Sequence, residues 1–448
     1  MIRSELLWPS PGDANAGGEA ALRADMSGLA PVFLHTGWRT RGTWLWSRFR
    51  ALPGTTCFYE PLSEDLATLS PAAIEGCDAG TWSSGHPRLD RPYFSEFRPL
   101  LKRVARGVQC YDRSFAVAGF FAEPDAAMSD LRDYITLLLR AAHADRGQPV
   151  LKFCRSLGRI GWMQRNFPQA IHIAVLRNPL AQFCSAQRQF QRHANPYFLA
   201  MPLLLLALHR DVPDVAAALR HLAVALPTLP SGASLQVCLD ACTAQLRRGD
   251  PAAWYRAFLA FWLVTAANIP DTIDLVIDSD VLTNSDDYRR RCEIDLAALT
   301  GRTVDLGTAF GGAGRDASML VTSGLGRAAL WQAHAAAEAF MADRAGDAWA
   351  DSPSLARVGA MLCYGTLLGT SPLHAVGLRP MVRWDAVCAE AAALSADAQR
   401  AVSAEQRLAA VYASRFWRVT APLRWLCERL PVFARGVWWV RRWWSERS

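Results

Sequence analysis

The sequence predicts a three-layer α/β fold, in which helices cover a central parallel sheet. Short apolar runs of strand length recur at wide intervals, and segments with helical spacing separate them. Such alternation is typical of parallel sheets, because crossover connections that usually contain a helix join parallel strands. The chain has 448 residues, of which 51% are hydrophobic. That length and composition predict one large core with additional segments.

The first predicted strand and the turn after it carry the clearest functional signal. Val32–Leu34 is an apolar run, and helical spacing begins at Trp44. Between them lies a basic turn bounded by glycines: Gly37, Trp38, Arg39, Thr40, Arg41, Gly42 and Thr43. The glycines allow a sharp bend, so that backbone N–H groups converge at the start of the helix. Arginines and threonine hydroxyls add charge-assisted hydrogen bonds, which predicts a cradle for phosphate or sulfate oxygens.

The spacing of Gly37 and Gly42 matches the Walker A loop, G-x-x-x-x-G-K-[ST], but the lysine is absent and Thr43 follows Gly42 directly. The segment Arg39–Trp44 instead resembles the 5′-phosphosulfate loop of the sulfotransferases, [KR]-[ST]-G-[ST]-T-[WL]. These enzymes use 3′-phosphoadenosine 5′-phosphosulfate (PAPS). Four positions fit that pattern: Arg39, Thr40, Thr43 and Trp44. Arg41 and Gly42 depart from it, and a structural strand–turn–helix with incidental arginines is the alternative.

A second motif follows a predicted strand further along the chain. Ile171–Arg177 is the predicted strand, and Pro179 comes where the first helical turn tolerates it. The segment is similar to the 3′-phosphate element of the same family, R-[DN]-P-x-x-x-x-x-S, with Arg177 and Ser185 at its spacing. Ser185 lies about two helical turns further along, so both side chains could reach one phosphate. An ordinary strand-to-helix turn is the alternative.

Glu60 is the first candidate for a catalytic base. It lies in the second predicted strand, Thr55–Leu62, and would face the crevice at the carboxyl ends of the strands. It resembles the strand-end glutamate that serves as base in the tyrosylprotein branch of the family. The alternative is a surface glutamate before a proline turn. His86 is the second candidate, within residues 75–115, a segment rich in Gly, Pro, Ser and Arg that is predicted to form a substrate-side loop.

A third predicted strand, Val150–Arg155, ends in basic residues. The cytosolic branch of the family places its base histidine near such a strand. This sequence has none there, which favours Glu60. Lys152 and Arg155 are predicted to contact the sulfuryl group or a charged acceptor, or else to pair with acidic side chains.

The sequence predicts three domains. Residues 1–30 are expected to form a loose N-terminal arm, 31–324 the sulfotransferase domain, and 325–448 a helical C-terminal extension. Apolar helical segments punctuated by proline predict an insertion on the acceptor side at about 190–270.

The end of the predicted sulfotransferase domain contains one more strand, Ile273–Ile277, and the helix Tyr288–Leu299. Their order resembles the late strand–helix element of the family. The glycine-rich turn Phe310–Arg315 is predicted either to close over the 3′-phosphate or to be a plain loop.

The C-terminal tail, from Val411 onward, is basic and rich in tryptophan. Its apolar residues recur at spacings of three and four, with arginines beside them, which favours binding to an anionic membrane surface. The alternative is a helical extension docked on the core. Ser414–Arg424 also resembles the S-x-S-W-R-x-T-x-P-L-R tail of bacterial surface-polysaccharide glycosyltransferases, which favours a carbohydrate acceptor.

The resemblance implies a PAPS-dependent sulfotransferase that modifies a hydroxyl of a carbohydrate or other acceptor, releases 3′,5′-ADP and needs no metal. A P-loop nucleotide kinase and a non-catalytic, membrane-associated nucleotide-binding protein are the alternatives. Eleven cysteines without repeated spacing predict reduced thiols and a cytoplasmic location, peripheral on the inner membrane face through the tail. Of the 48 basic residues, only Lys102 and Lys152 are lysines. That ratio indicates coding bias, so no nucleic-acid partner is predicted.

Overall fold

The computed structural model describes residues 29–77, 86–87, 89–307, 324–345 and 352–368. All of them lie in the first of two units, Met1–Val387 and Cys388–Ser448, into which the chain divides. Three predicted features lie outside the described residues: most of the N-terminal arm, the turn Phe310–Arg315 and the basic C-terminal tail.

Five parallel strands form the central sheet. Their bounds are β1 Val32–Thr36, β2 Thr55–Tyr59, β3 Gln148–Phe153, β4 Ile171–Leu176 and β5 Leu275–Asp278. The strands pair in the order β2-β3-β1-β4-β5, and every pair is parallel. The predicted α/β fold with a central parallel sheet is therefore confirmed.

Helices connect the strands. The α-helices of the described residues are α1 (Gly42–Arg50), α2 (Pro71–Glu75), α3 (Ser129–Ala144), α4 (Ile160–Asn166), α5 (Pro179–His193), α6 (Tyr197–Leu208), α7 (Pro213–His221), α8 (Leu235–Arg248), α9 (Pro251–Ala267), α10 (Ser279–Asn284), α11 (Asp286–Thr300), α12 (Arg327–Ala345) and α13 (Pro353–Leu368). Helices α6 to α9 occupy the segment that the sequence predicts to be a helical insertion.

Strand β1 lies at the centre of the sheet. Val32 pairs with Val150 on β3 and with Ile171 on β4. All five residues of β1 are buried, which is typical of a parallel strand covered on both faces. The strand extends beyond the predicted apolar run to His35 and Thr36, which are polar and fully buried.

The strand order creates a switch point beside β1. From β1 the chain crosses to β2 at one edge of the sheet, and from β3 it passes β1 to reach β4. In open α/β sheets, ligands bind outside the carboxyl ends of the strands at such a reversal. The residues that follow these four strands therefore surround the place where a ligand site is expected.

Local sequence fixes the start of α5, after β4. The Asn178 side-chain oxygen accepts the backbone N–H groups of Leu180 at 3.0 Å and Ala181 at 3.2 Å. Pro179 occupies the first helical position, where its missing N–H is not needed. The Asn178 side chain also donates to the carbonyl of Met361 on α13 at 3.0 Å. The strand-to-helix turn is thus also hydrogen-bonded to α13, a helix of the predicted C-terminal extension.

Within the residues that the structure describes, no helix is both long enough and apolar enough to cross a membrane. The apolar helix α6 has 12 residues, whereas a bilayer span needs about 20.

Candidate functional site

The loop between β1 and α1 holds two arginines in a left-handed backbone conformation. Arg39 and Arg41 each have a φ of 67°, a region that glycine adopts with less strain than other residues. Position 41 is the one at which the sulfotransferase pattern has glycine. The backbone therefore has the conformation that glycine would favour, although the residue is arginine.

Gly42 is a point of close approach between α1 and β1. A methyl group on its Cα would lie 2.4 Å from Cγ2 and 2.7 Å from Oγ1 of Thr36. Thr36 is fixed in turn, because it is fully buried and its hydroxyl donates to the Phe153 carbonyl at 3.0 Å. Packing of the helix start on the strand end therefore requires glycine at position 42.

We expect Gly42→Ala to lower the free energy of unfolding by about 1–3 kcal/mol, the usual cost of overpacking a core position. The matched control is Gly76→Ala, since Gly76 has a φ of −77° and an added methyl would have its nearest neighbour 3.5 Å away. We expect the control to be neutral or to stabilise by up to about 1 kcal/mol. Urea denaturation measures both values, and equal stabilities would contradict the close approach of helix and strand.

The strand–helix unit of the second motif holds the backbone of this loop. Gln182 on α5 donates its amide N–H to the Trp38 carbonyl at 2.7 Å. Arg177, at the end of β4, donates Nη1–H to the Arg39 carbonyl at 3.1 Å. The orientation of two consecutive loop carbonyls is therefore set by residues about 140 positions away.

Side chains of the two predicted motifs also touch each other. Arg39 donates Nε–H to the Ser185 hydroxyl at 3.0 Å, and its guanidinium lies 5.1 Å from the centre of the Phe198 ring. Burial, and then the nearby charges of Arg177 and Arg188, lower the pKa of Arg39 to about 10. Arg39 remains a cation at neutral pH. Three neighbouring guanidiniums create a positive potential that suits a ligand with several negative charges.

Arg41 and Arg177 share one carboxylate partner. Asp280 on α10 accepts Nε–H of Arg177 at 3.1 Å and Nη1–H of Arg41 at 3.3 Å on Oδ1. Its Oδ2 accepts the backbone N–H of Asn178 at 3.1 Å. Arg41 also donates to the Ser279 carbonyl at 2.6 Å. The Arg41 side chain therefore points toward α10, and Asp280 orients both arginines.

Glu60 lies directly after β2, in a left-handed conformation with a φ of 47°. Both of its oxygens accept hydrogen bonds: Oε1 from Lys152 Nζ, and Oε2 from the Cys154 N–H at 3.0 Å and from Arg155 Nη1 at 3.4 Å. Burial raises the pKa of Glu60, but the charges of Lys152 and Arg155 outweigh it and hold the pKa below its usual value. Glu60 is therefore an ionised and fully engaged carboxylate.

The two basic residues of β3 and its end pair with acidic side chains, which is one of the two outcomes that the sequence left open. Lys152 contacts Glu60, and Arg155 also donates to Glu64. The Tyr197 hydroxyl donates to Glu64 at 2.8 Å and closes the network. The network is buried, with 2% of the Lys152 side chain and 4% of the Arg155 side chain exposed.

Tyr59 belongs to neither sequence motif, yet it links the loop Gly37–Thr43, here called the anion loop, to His86. Its hydroxyl lies 3.3 Å from Thr43 Oγ1 and 2.8 Å from His86 Nε2. Burial, and then the charges of Lys152 and Arg39, lower the pKa of His86 to about 3. The imidazole is therefore neutral at physiological pH.

The other predicted loop residues support the site. The Thr40 hydroxyl donates to the Gly37 carbonyl at 2.8 Å and closes the turn. The buried Trp38 ring lies 5.5 Å from the Arg155 guanidinium. Trp44 is half-buried in the first turn of α1, and its carbonyl accepts the Ser47 hydroxyl. The structure thus brings all the predicted site residues to the carboxyl edge of one sheet.

Comparisons of the chain with protein families, with curated proteins and with solved structures found no match. A functional assignment therefore depends on the motifs and on the geometry of this site.

Proposed function

We propose that the protein is a PAPS-dependent sulfotransferase with a P-loop-type three-layer fold, which transfers a sulfuryl group to an acceptor hydroxyl. The contact that carries the proposal is the hydrogen bond of Arg39 Nε to Ser185 Oγ at 3.0 Å. It joins the phosphosulfate-like loop to the 3′-phosphate-like element, two motifs that the sequence identifies independently. A single nucleotide with phosphates at both ends could then bind to both motifs.

In the proposed complex, the loop Gly37–Thr43 holds the 5′-phosphosulfate, and the helix start adds partial positive charge. Arg177 and Ser185 contact the 3′-phosphate. The acceptor oxygen attacks sulfur in line, and the S–O bond to the 5′-phosphate breaks. Arg39 neutralises the charge that develops on the leaving phosphate oxygen. The Arg41 contacts with α10 favour Arg39 as the basic residue of the loop, and no step of this mechanism uses a metal.

The contacts of Glu60 favour a structural role over the role of catalytic base. General-base catalysis is most effective when the pKa lies near the working pH, whereas two cations hold the pKa of Glu60 below its usual value. These contacts support a role in holding Lys152 and Arg155 at the crevice. Glu60 as the base remains a prediction from the sequence.

For the acceptor we propose a carbohydrate, such as a surface glycan, on the resemblance of the tail to those of polysaccharide glycosyltransferases. We propose a cytoplasmic location, with the basic tail on an anionic membrane surface. The acceptor and the membrane contact rest on sequence patterns outside the described residues, and the location rests on the cysteine pattern.

Arg177→Ala is expected to lower the affinity for 3′,5′-ADP by about ten- to a hundredfold, because one charge-assisted hydrogen bond is lost. The affinity for 5′-AMP, which has no 3′-phosphate, should fall much less. Isothermal titration calorimetry with both nucleotides measures the ratio of their dissociation constants. Arg177 also holds the Arg39 carbonyl, so Ser185→Ala, which leaves that contact intact, is the second variant. The control is Arg290→Ala, an exposed residue of α11 paired with Asp287.

Equal losses for both nucleotides in Ser185→Ala and Arg177→Ala would place the 3′-phosphate elsewhere. Turnover of PAPS separates an enzyme from a nucleotide sensor. Tighter binding of ATP with Mg²⁺ than of 3′,5′-ADP would favour the P-loop kinase instead.

A further inference from the structure

Three polar groups form a hydrogen-bonded chain between the anion loop and the substrate-side segment. Thr43 Oγ1 belongs to the first turn of α1, Tyr59 Oη to the last residue of β2, and His86 Nε2 to the segment beyond it. The separations are 3.3 Å and 2.8 Å. Tyr59 is buried, with 5% of its surface exposed. The Lys152 ammonium lies 4.9 Å from the centre of its ring.

The protonation states allow only two directions for the hydrogen bond between Tyr59 and His86. Burial raises the pKa of Tyr59, so the hydroxyl keeps its proton. His86 is neutral and carries one ring proton. Either the proton is on Nδ1 and Nε2 accepts from the Tyr59 hydroxyl, or Nε2–H donates to the Tyr59 oxygen. In the first case the Tyr59 oxygen can still accept a hydrogen bond from another hydroxyl.

We propose that Tyr59 and His86 form a proton relay that removes the proton from the acceptor hydroxyl, a proposal that rests on the proposed sulfuryl transfer. An acceptor oxygen beside the anion loop lies close to Tyr59 Oη, because that atom is itself 3.3 Å from Thr43. As the acceptor oxygen bonds to sulfur and the bond to the leaving phosphate breaks, the acceptor proton passes to Tyr59 Oη. The original Tyr59 proton passes to His86 Nε2, which becomes an imidazolium and later releases the proton to water.

Binding of the donor is expected to raise the pKa of His86. Among the described residues, the groups facing His86 include Lys152 and Arg39, whose charges lower its pKa, and Glu60, which raises it. The rings of Tyr59 and Tyr93 also lie against it. A polyanion in the loop offsets the two cations and moves the pKa of His86 upward, toward the range in which a general base is most effective. The donor thus moves the pKa of His86 toward that of a general base, while burial, the largest cause of its low pKa, remains.

The first test needs no turnover. In protein with ¹⁵N-labelled histidine, the His86 signals are assigned from their absence in His86→Asn. We expect the proton on Nδ1 and Nε2 as an acceptor, a perturbation of Nε2 in Tyr59→Phe, and an upward pKa shift when 3′,5′-ADP is added. A proton on Nε2 in the wild-type protein would overturn the relay, because Nε2 could not then accept one.

The second test measures kcat with PAPS. Tyr59→Phe and His86→Asn are each expected to lower kcat by about 10²–10⁴-fold, and the double variant no further, because the two residues act as a unit. Affinity for 3′,5′-ADP should stay within about twofold, since neither side chain is placed on a phosphate. The control is Tyr134→Phe, which removes a buried hydroxyl that donates to the Pro61 carbonyl at 2.9 Å. We expect its kcat to be unchanged.

The two proposals fail in different ways. Turnover that survives both substitutions, with 3′,5′-ADP binding intact, would overturn the relay and leave the sulfotransferase in place. A wild-type protein that neither binds 3′,5′-ADP nor turns over PAPS would overturn the proposed function, and the relay step with it.

Discussion

Glu60→Gln is expected to lower the free energy of unfolding by about 3–5 kcal/mol, the usual cost of breaking a buried ion pair by removing one partner. Lys152 would keep its charge while 98% of its side chain is withdrawn from water, without the carboxylate that it contacts. Glutamine preserves the size of the side chain, so the effect isolates the charge. Urea denaturation at neutral pH measures the change.

The control for that prediction is Glu60→Gln combined with Lys152→Met, which removes both members of the Glu60–Lys152 pair and leaves Arg155 with Glu64. Replacing a buried pair by groups of similar volume is often nearly neutral, so we expect the double variant to recover most of the lost stability. A single variant within about 1 kcal/mol of the wild type would mean that the pair is no more important than a surface salt bridge.

Arg155 and Arg159 should respond in opposite ways to replacement by methionine. Arg155 is bound to Glu60 and Glu64, so Arg155→Met leaves two carboxylates short of a partner and should cost about 3–5 kcal/mol. Arg159 is equally buried, and among the described residues its Nε and Nη1 have no hydrogen-bond partner. Its Nη2 donates to the Phe115 carbonyl at 3.1 Å.

Burial and the neighbouring Arg155 lower the pKa of Arg159 to about 9, because the charged form is poorly solvated there. Arg159→Met should therefore be neutral or stabilise the protein by about 1–3 kcal/mol, the cost of burying polar groups without partners. Thermal and urea denaturation of the two variants in one buffer measure the change in the free energy of unfolding that each substitution causes. A loss of several kcal/mol in both would mean that Arg159 has a counter-charge outside the described residues.

The strands and the anion loop could be predicted because their signals are local. Val32–Leu34 and Ile173–Leu176 are apolar runs of strand type, and the glycine spacing in Gly37–Thr43 indicates a sharp turn. Burial on both faces of the sheet then follows from covering helices. Each of these inferences needs only a few consecutive residues.

The partners of the site residues could not be predicted, because they depend on the register of strands that are far apart in sequence. Asp280 meets Arg177 across 103 positions, and Lys152 meets Glu60 across 92. Tyr59 is an ordinary aromatic strand residue by its pattern, and only the folded chain places its hydroxyl between Thr43 and His86. A search for polar residues at every strand end would have included it.

The central position of β1 has a consequence for motion. Its backbone is hydrogen-bonded to β3 on one side and β4 on the other, and its five residues are buried. Amide hydrogens in such a strand exchange with solvent only when the whole domain opens, while loops and edges exchange through local fluctuations. The anion loop continues directly from this strand, so a strand that resists local opening fixes its starting point. Arg39 and Arg41 keep a left-handed backbone conformation there at a cost of order 1–3 kcal/mol each. The hydrogen bonds that hold the loop to β4, α5 and α10 offset this strain.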